Sequence, residues 1–289
     1  MLSLSLSQAH ALRTGGASHP LLVLLPHDLP LGTEQALLED ESAFGNSSSG
    51  FSVQMRRVGR LRYPPGWTTA GCRYWWLNAA GHYAELEHSL TKLWAFSLTE
   101  YKQVVYLDAD VLPLRAPEEL FGLWDGAGLF FAAAPDWGRH GGDAPGFNAG
   151  VFAASTCAGL REELLQVMAE QGHDARCHRR GTADQPLLQF FFGLDTIGLP
   201  LKYNVLQPGH VRRPGLVEPV MLHFTKHKPW EVAEGLGVSE WRAVCRQIGC
   251  CERGACDRRG VMKLPRGPHF RWKEARWAGG GQQEADPRS

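Results

Sequence analysis

The sequence predicts an α/β fold built on a mostly parallel sheet. Three observations carry this expectation. Short, wholly apolar runs recur, at 21–25, 129–134 and 220–222. Between them lie stretches whose apolar residues repeat at helical spacing. Proline and glycine clusters punctuate the two kinds of segment, the alternation expected of strands and crossover helices.

The elements follow in order. Residues 2–12 (LSLSLSQAHAL) read as a helix. Residues 21–25 end at Pro26 and read as a buried strand of the parallel type. The GNSSSG segment at 45–50 reads as a flexible loop, and 53–63 as a further strand closed by Pro64-Pro65-Gly66. Leu86, Leu90, Leu93 and Trp94 share one helical face, and this helix is expected to end near Tyr101. Residues 104–107 form the next strand. Pro117-Glu118-Glu119 marks a helix start, with proline in the first turn and acids at the positive end of the dipole. After the strand at 129–134 comes a glycine-rich loop at 136–146, long enough to carry function. Asn148 to Phe152 is a turn into a strand. Ser155 or Thr156 is the expected cap of a helix with face Leu160, Leu164, Val167 and Met168, stopped at Gly172. Asp184-Gln185-Pro186 opens a short helix ending by Gly193. Residues 199–203 and 220–224 complete the expected strands. The pattern fades after about 231, and 278–289 has the composition of a disordered tail.

Composition narrows the function classes. Thirty basic residues balance thirty acidic ones in a chain of 289, so nothing in the charge points to nucleic acid or an anionic membrane. No apolar run approaches the roughly 20 residues of a membrane-spanning helix. The first twelve residues lack a basic region and serines interrupt them, so a secretory leader is not expected. The seven cysteines are too few and too irregular for a small disulfide scaffold. Cys245, Cys250, Cys251 and Cys256 lack a standard zinc spacing. An unpaired cluster is the expectation there, with zinc or a disulfide as the alternative.

The chemistry centres on Val104-Val105-Tyr106-Leu107-Asp108-Ala109-Asp110. An apolar strand that ends in two carboxylates two residues apart places both at its carboxyl end. Such acids are costly to bury unless a cation pairs them, and a hard divalent ion suits them. His223 ends a second apolar run and offers a third ligand; it reads equally as a hydrogen-bonded core histidine. Two carboxylates and one imidazole favour manganese or magnesium over zinc or copper. Lys228, five residues on, would put a point charge on a phosphate held by that ion, or is a solvated surface lysine. Asp184 reads also as a helix cap, Asn148 as a left-handed turn residue, and Lys92 as a solvated residue of its helix.

The joint order of these residues resembles glycosyltransferase family 8, the glycogenin-like group. Ser89 to Tyr101 with Val105-Tyr106-Leu107-Asp108-Ala109-Asp110 carries the first part of the resemblance. Phe147-Asn148-Ala149-Gly150-Val151-Phe152, Asp184-Gln185, Leu199-Pro200-Leu201-Lys202-Tyr203-Asn204, His223-Phe224 and Lys228-Pro229-Trp230 carry the rest. It spans roughly residues 2–230. It implies a Rossmann-like fold for nucleotide-diphospho-sugars and a retaining, manganese-dependent hexosyltransferase acting from a UDP-sugar onto an acceptor hydroxyl, with magnesium as the alternative cation. It implies Asp108, Asp110 and His223 as metal ligands and Lys228 on the donor diphosphate. It implies donor contacts from Lys92, Ala109, Asn148, Ala149, Asp184 and Gln185, with Asp108, Asp110, His223 and Lys228 completing that set. Asp184 is the matched acid nearest to a nucleophile.

The sequence departs from the family in three places. Family members open with a strand ahead of the helix that 2–13 matches, and 21–25 matches their second strand. Either the chain start is mis-assigned or truncated, or another segment fills the place of the first strand; with Met1 as the true start, UDP-sugar affinity is expected to be weak. Residues 205–222 contain no tyrosine, so self-glucosylation of the glycogenin kind is not expected. Thr225-Lys226-His227 replaces the usual glycine before Lys228. The expected division is a catalytic domain at 1–230 and a cysteine-containing extension at 231–289. Trp67, Trp75 and Trp76 are candidates for an acceptor surface or for core packing. A cytoplasmic location is the default and the Golgi lumen the alternative. The rival functions are a catalytically inactive binding protein and a nucleotidyltransferase, which would normally show a glycine-rich phosphate loop near its first strand.

Overall fold

The computed structural model describes residues 2–29, 51–63, 88–125, 128–136, 146–170, 184–206, 218–225, 228–229 and 237–247. The loops at 45–50 and 137–145, the Pro64-Pro65-Gly66 stop, Leu86, Trp67, Trp75, Trp76, Lys226, His227, Cys250, Cys251, Cys256 and the tail at 278–289 lie outside them.

Helix α1 (Leu2–Thr14) is followed by strands β1 (Leu21–Pro26) and β2 (Val53–Val58), which pair in parallel with Leu21 opposite Val53. The segment expected as the next helix is a 3-10 helix, Leu90–Ser97, and stops short of Tyr101. Its three residues per turn stack positions i, i+3 and i+6. Leu90, Leu93 and Phe96 therefore share one face and are fully buried. Strands β3 (Gln103–Leu107) and β4 (Val111–Pro113) follow, then a 3-10 turn over Glu118–Gly122 with Pro117 at its cap.

Strand β5 (Phe131–Pro135) leads to β6 (Phe147–Ser155), an interior strand of a four-stranded sheet. The order is β3-β6-β5-β7, where β7 is Thr196–Gly198. β6 pairs antiparallel with both β3 and β5, while β5 pairs parallel with β7. A third sheet runs β4-β9-β8, from Met221–His223 (β9) and Val205–Leu206 (β8). The sheets are thus mixed rather than mostly parallel. Among the described strands, the β1–β2 pair is not bonded to the β3-β6-β5-β7 sheet.

Both faces of the central sheet are covered. Phe131 and Ala133 turn to a core with Phe96, Phe152 and Phe192, in which Phe131 and Phe192 stack at 4.2 Å. Phe130, Ala132 and Ala134 turn to the opposite core, with Val151, Tyr203 and Met221. Helix α2 (Leu160–Glu170) packs Leu164 and Met168 on the first face. Neither Ser155 nor Thr156 caps it. The Ser155 hydroxyl accepts the Phe130 N–H at 2.8 Å, and the Thr156 hydroxyl donates to the Tyr101 carbonyl. Helix α3 (Asp184–Phe192) begins at Asp184 as expected. The expected strand at 199–203 is instead a 3-10 turn, Leu201–Tyr203. Pro200 precedes it and has no N–H to give a ladder. Helix α4 (Val238–Gln247) buries Trp241 and Cys245 against Ala11 of α1 and Phe224. Cys245 is disulfide-bonded, against the expectation of an unpaired cluster.

Candidate active site

The site forms where β3 and β9 end and β4 and β6 begin. Asp108 follows β3, and its N–H donates to the Gly150 carbonyl of β6 at 2.7 Å. Its own carbonyl accepts the Val111 N–H at 3.0 Å, closing a turn that projects both carboxylates. Ala109 sits exposed on the crest of that turn. The turn is clamped from behind by Gln8 of α1, whose amide donates to the carbonyls of Asp108 (2.7 Å) and Val111 (2.9 Å).

Strand pairing brings the third ligand. β4 and β9 run antiparallel with Val111 opposite His223, and the Phe224 N–H donates to the Asp110 carbonyl at 3.0 Å. The His223 Nε2 lies 3.2 Å from Asp110 Oδ1 and 4.0 Å from Asp108 Oδ2. One ligand atom from each of Asp108, Asp110 and His223 falls within 4.8 Å of the others. An ion with metal–oxygen bonds of about 2.1 Å holds adjacent ligands about 3 Å apart and opposite ones about 4.2 Å apart. The three groups therefore fit one divalent cation, and the donor set of two hard oxygens and one imidazole suits manganese or magnesium. Lys228 donates to Asp110 Oδ2 and, at 2.6 Å, to the Phe224 carbonyl. Burial alone would raise the Asp110 pKa, but His223 and Lys228 outweigh it and hold that carboxyl well below its ordinary range.

The other side of Asp108 is built by Lys92. This lysine is only 3% exposed, so it is not a solvated residue of its helix. Its ammonium lies 3.1 Å from Asp108 Oδ1 and 2.5 Å from Asp184 Oδ2, and donates to the Ala149 carbonyl at 3.1 Å. Burial would lower its pKa; the charges of Asp108 and Asp184 reverse that and raise it above the ordinary lysine value. Asp184 is thus a buried ion-pair partner. Gln185 accepts the Ala149 N–H at 3.1 Å and donates to Asp136 at 3.2 Å. Asn148 accepts the Gly150 N–H at 2.9 Å. The candidate metal and donor residues named from the sequence lie around this one place, while Trp67, Trp75 and Trp76 lie outside the described residues.

Four residues here had no role assigned from the sequence. Gln8 is one, with no local signature beyond a polar residue on a helix. Tyr106 lies two residues before Asp108, hence on the same side of the strand, and its phenol donates to Asp108 Oδ1 at 2.9 Å. Burial first, then the Asp108 charge, push that phenol's pKa well above its ordinary value. Asp136 and Asn204 are the others; Asn204 bridges Asn148 and His223.

A profile of "Glycosyl transferase family 8" matches residues 79–233, more than half the chain. The chain belongs to glycosyltransferase family 8. Among its relatives, glycogenin of Neurospora crassa is 34% identical over 152 residues, covering 50% of this chain and 20% of that protein. Human glycogenin-2 is 39% identical over 112 residues, covering 37% of this chain and 19% of that protein. The matched region thus spans about a fifth of the length of these relatives. Among solved structures, galactosyltransferase LgtC in complex with donor and acceptor sugar analogs aligns with a TM-score of 0.55 at 19% identity, over 85% of this chain and 92% of that one. GlyE, a glycosyltransferase of Streptococcus pneumoniae, aligns at 0.52 and 16% identity, over 90% and 63%. These likenesses give the family 8 chain the α/β, Rossmann-like fold of nucleotide-sugar glycosyltransferases.

Proposed function

We propose that the chain is a retaining, manganese-dependent hexosyltransferase that moves a sugar from a UDP-sugar to an acceptor hydroxyl. The observation that carries this reading is the convergence of Asp108, Asp110 and His223 on one cation-sized point, with Lys228 beside it. In this reading Asp108, Asp110 and His223 hold the ion, with magnesium as the alternative. A bound divalent ion supplies positive charge to the diphosphate as it leaves. Lys228 adds a second, mobile charge on the same group, where negative charge grows in the transition state. Lys92, Asn148, Ala149, Asp184 and Gln185 face the sugar, and Ala109 lines the donor beside the two aspartates. Lys92 pairs with Asp184 and fixes its position, which suits a carboxylate that stabilises positive charge at the anomeric carbon or attacks it.

The catalytic unit in this reading is residues 1–230, with the cysteine-containing extension after it. No helix among the described residues is long and apolar enough to cross a membrane. The disulfide on Cys245 favours an oxidising compartment such as the Golgi lumen over the cytoplasm.

The test is UDP release from UDP-glucose, UDP-galactose and UDP-glucuronate, with manganese, with magnesium and with EDTA. Release that requires the cation and is lost in D108N and D110N is the expected result. No release from any donor under any condition would overturn the reading. D184N should slow transfer while donor binding persists; unchanged turnover would remove Asp184 from the mechanism.

A further inference from the structure

We propose that Asn204 is a positioning residue that sets the tautomer of His223 and the orientation of Asn148 together. The proposal rests on the cation site described above. The N–H of Gly150 can only donate, and it points at the Asn148 side chain at 2.9 Å. Asn148 must therefore present its carbonyl oxygen, Oδ1. The Asn204 side chain also meets that oxygen at 2.9 Å, so it must present its NH2 group there. Its own Oδ1 then faces the other way, 2.9 Å from His223 Nδ1. An amide oxygen only accepts, so Nδ1 carries the proton. In the neutral ring Nε2 is left with its lone pair, and Nε2 is the atom that faces Asp110 and Asp108.

Three groups in a row thus fix one ring nitrogen as a metal ligand. The direction of the chain does not depend on how any single amide was placed, because Gly150 anchors its far end. Asn204 is 1% exposed and His223 is 3% exposed, so water does not compete for these bonds. The ring is also confined sterically: a Cβ on Gly150 would lie 2.0 Å from His223 Cε1. The imidazole therefore lies directly on the Gly150 backbone, and a rotation that exchanged its nitrogens would break the Asn204 bond.

The consequence is a coupling. Asn148 is a candidate sugar contact and His223 a candidate cation ligand, and one amide orients both. N204D separates the two tasks. A carboxylate still accepts from Nδ1–H, but it cannot donate to Asn148.

The experiment has two independent readouts. The first is whether Nδ1 of His223 carries a proton in the metal-free protein. It is read from nitrogen-15 NMR of histidine-labelled protein, with H223Q giving the assignment. The second is manganese affinity by calorimetry. Wild type should show Nδ1–H at His223. N204A should lose that preference and bind manganese about 10–100-fold more weakly, the usual cost of losing such a supporting partner. N204D should keep the tautomer and regain most of the affinity, while its KM for the sugar donor rises. An Nε2–H tautomer in wild type, or unchanged affinity in a folded N204A, overturns the proposal. If N204A does not fold, the wild-type tautomer and N204D decide it. If wild type shows Nδ1–H but binds no manganese, the cation reading falls and the Asn204 assignment stands.

Discussion

Two lysines hold the two aspartates of the Asp-Ala-Asp turn, and they do it in different surroundings. Lys92 is buried between Asp108 and Asp184, with its side chain 3% exposed. Lys228 pairs with Asp110 from a side chain that is 27% exposed. The first belongs to the core and the second stands at its edge. The difference separates holding the site together from acting in it. A buried ion of one sign cannot be removed without stranding its partners, while a half-exposed one can be replaced by water.

That contrast predicts two different defects. K92M leaves Asp184 buried and both carboxylates without their shared cation. It should lower stability by about 3–5 kcal/mol, the usual cost of breaking a buried pair from one side. Thermal or urea unfolding would measure it; a loss below about 1 kcal/mol would mean that water reaches Asp184 and the two lysines are alike. K228M should change stability by no more than about 1 kcal/mol. Its kcat should fall about 10²–10³-fold, the scale of losing one charge stabiliser at a leaving oxygen. A fall in Tm without a fall in kcat would reverse the two assignments.

The same contrast has an acid and an alkaline side. His223 and Lys228 hold the Asp110 pKa below the ordinary carboxylate value of 3.8. Its stabilisation is therefore complete above that value and is lost as pH falls below it. The Lys92 pKa is raised above 10.5. Its stabilisation is complete below that value and is lost only as pH rises beyond it. Metal-free protein should hold its Tm from about pH 5 to pH 9 and lose it toward either extreme. D110N should flatten the acid limb and K92M the alkaline one. An acid limb unchanged in D110N would assign that loss to other carboxylates.

How much of this was legible in the sequence depends on how far apart the partners are. Asp108 and Asp110 are announced locally, by the apolar strand that ends in them. The 3.6-residue pattern located the helix around Leu93, although its i, i+3 stacking is that of a 3-10 helix. The expected strand at 199–203 failed because apolar content does not override Pro200. The pairing of Val111 with His223 joins residues more than a hundred positions apart. No period or spacing specifies that register; only the order of motifs suggested that the two would meet. Gln8 is the plainest case of what cannot be read. It holds the Asp-Ala-Asp turn from a helix 100 residues earlier in the chain, and its neighbours carry no pattern that marks it. The alternation of sheet direction was equally hidden, because β5 and β6 are apolar on both faces and read the same in either sense.

Tyr106 gives the smallest effect and the finest test of the contrast between the two sides. Its phenol and Lys92 both engage Asp108 Oδ1, at 2.9 and 3.1 Å. Lys92 also donates to Oδ2 at 3.4 Å, and Oδ2 is the oxygen nearer His223, 4.0 Å from Nε2. The ring itself is held by stacking on Phe152 at 4.8 Å, which a phenylalanine would keep. Y106F therefore removes one hydrogen bond and little packing. A stability loss of about 1 kcal/mol is expected. Lys92 alone would then restrain Asp108, and the carboxylate would be freer to rotate. Manganese affinity should weaken while the KM for donor at saturating manganese stays near wild type. If donor KM moved and manganese affinity did not, Tyr106 would serve the sugar side of the site, and the boundary drawn here through Asp108 would have to move.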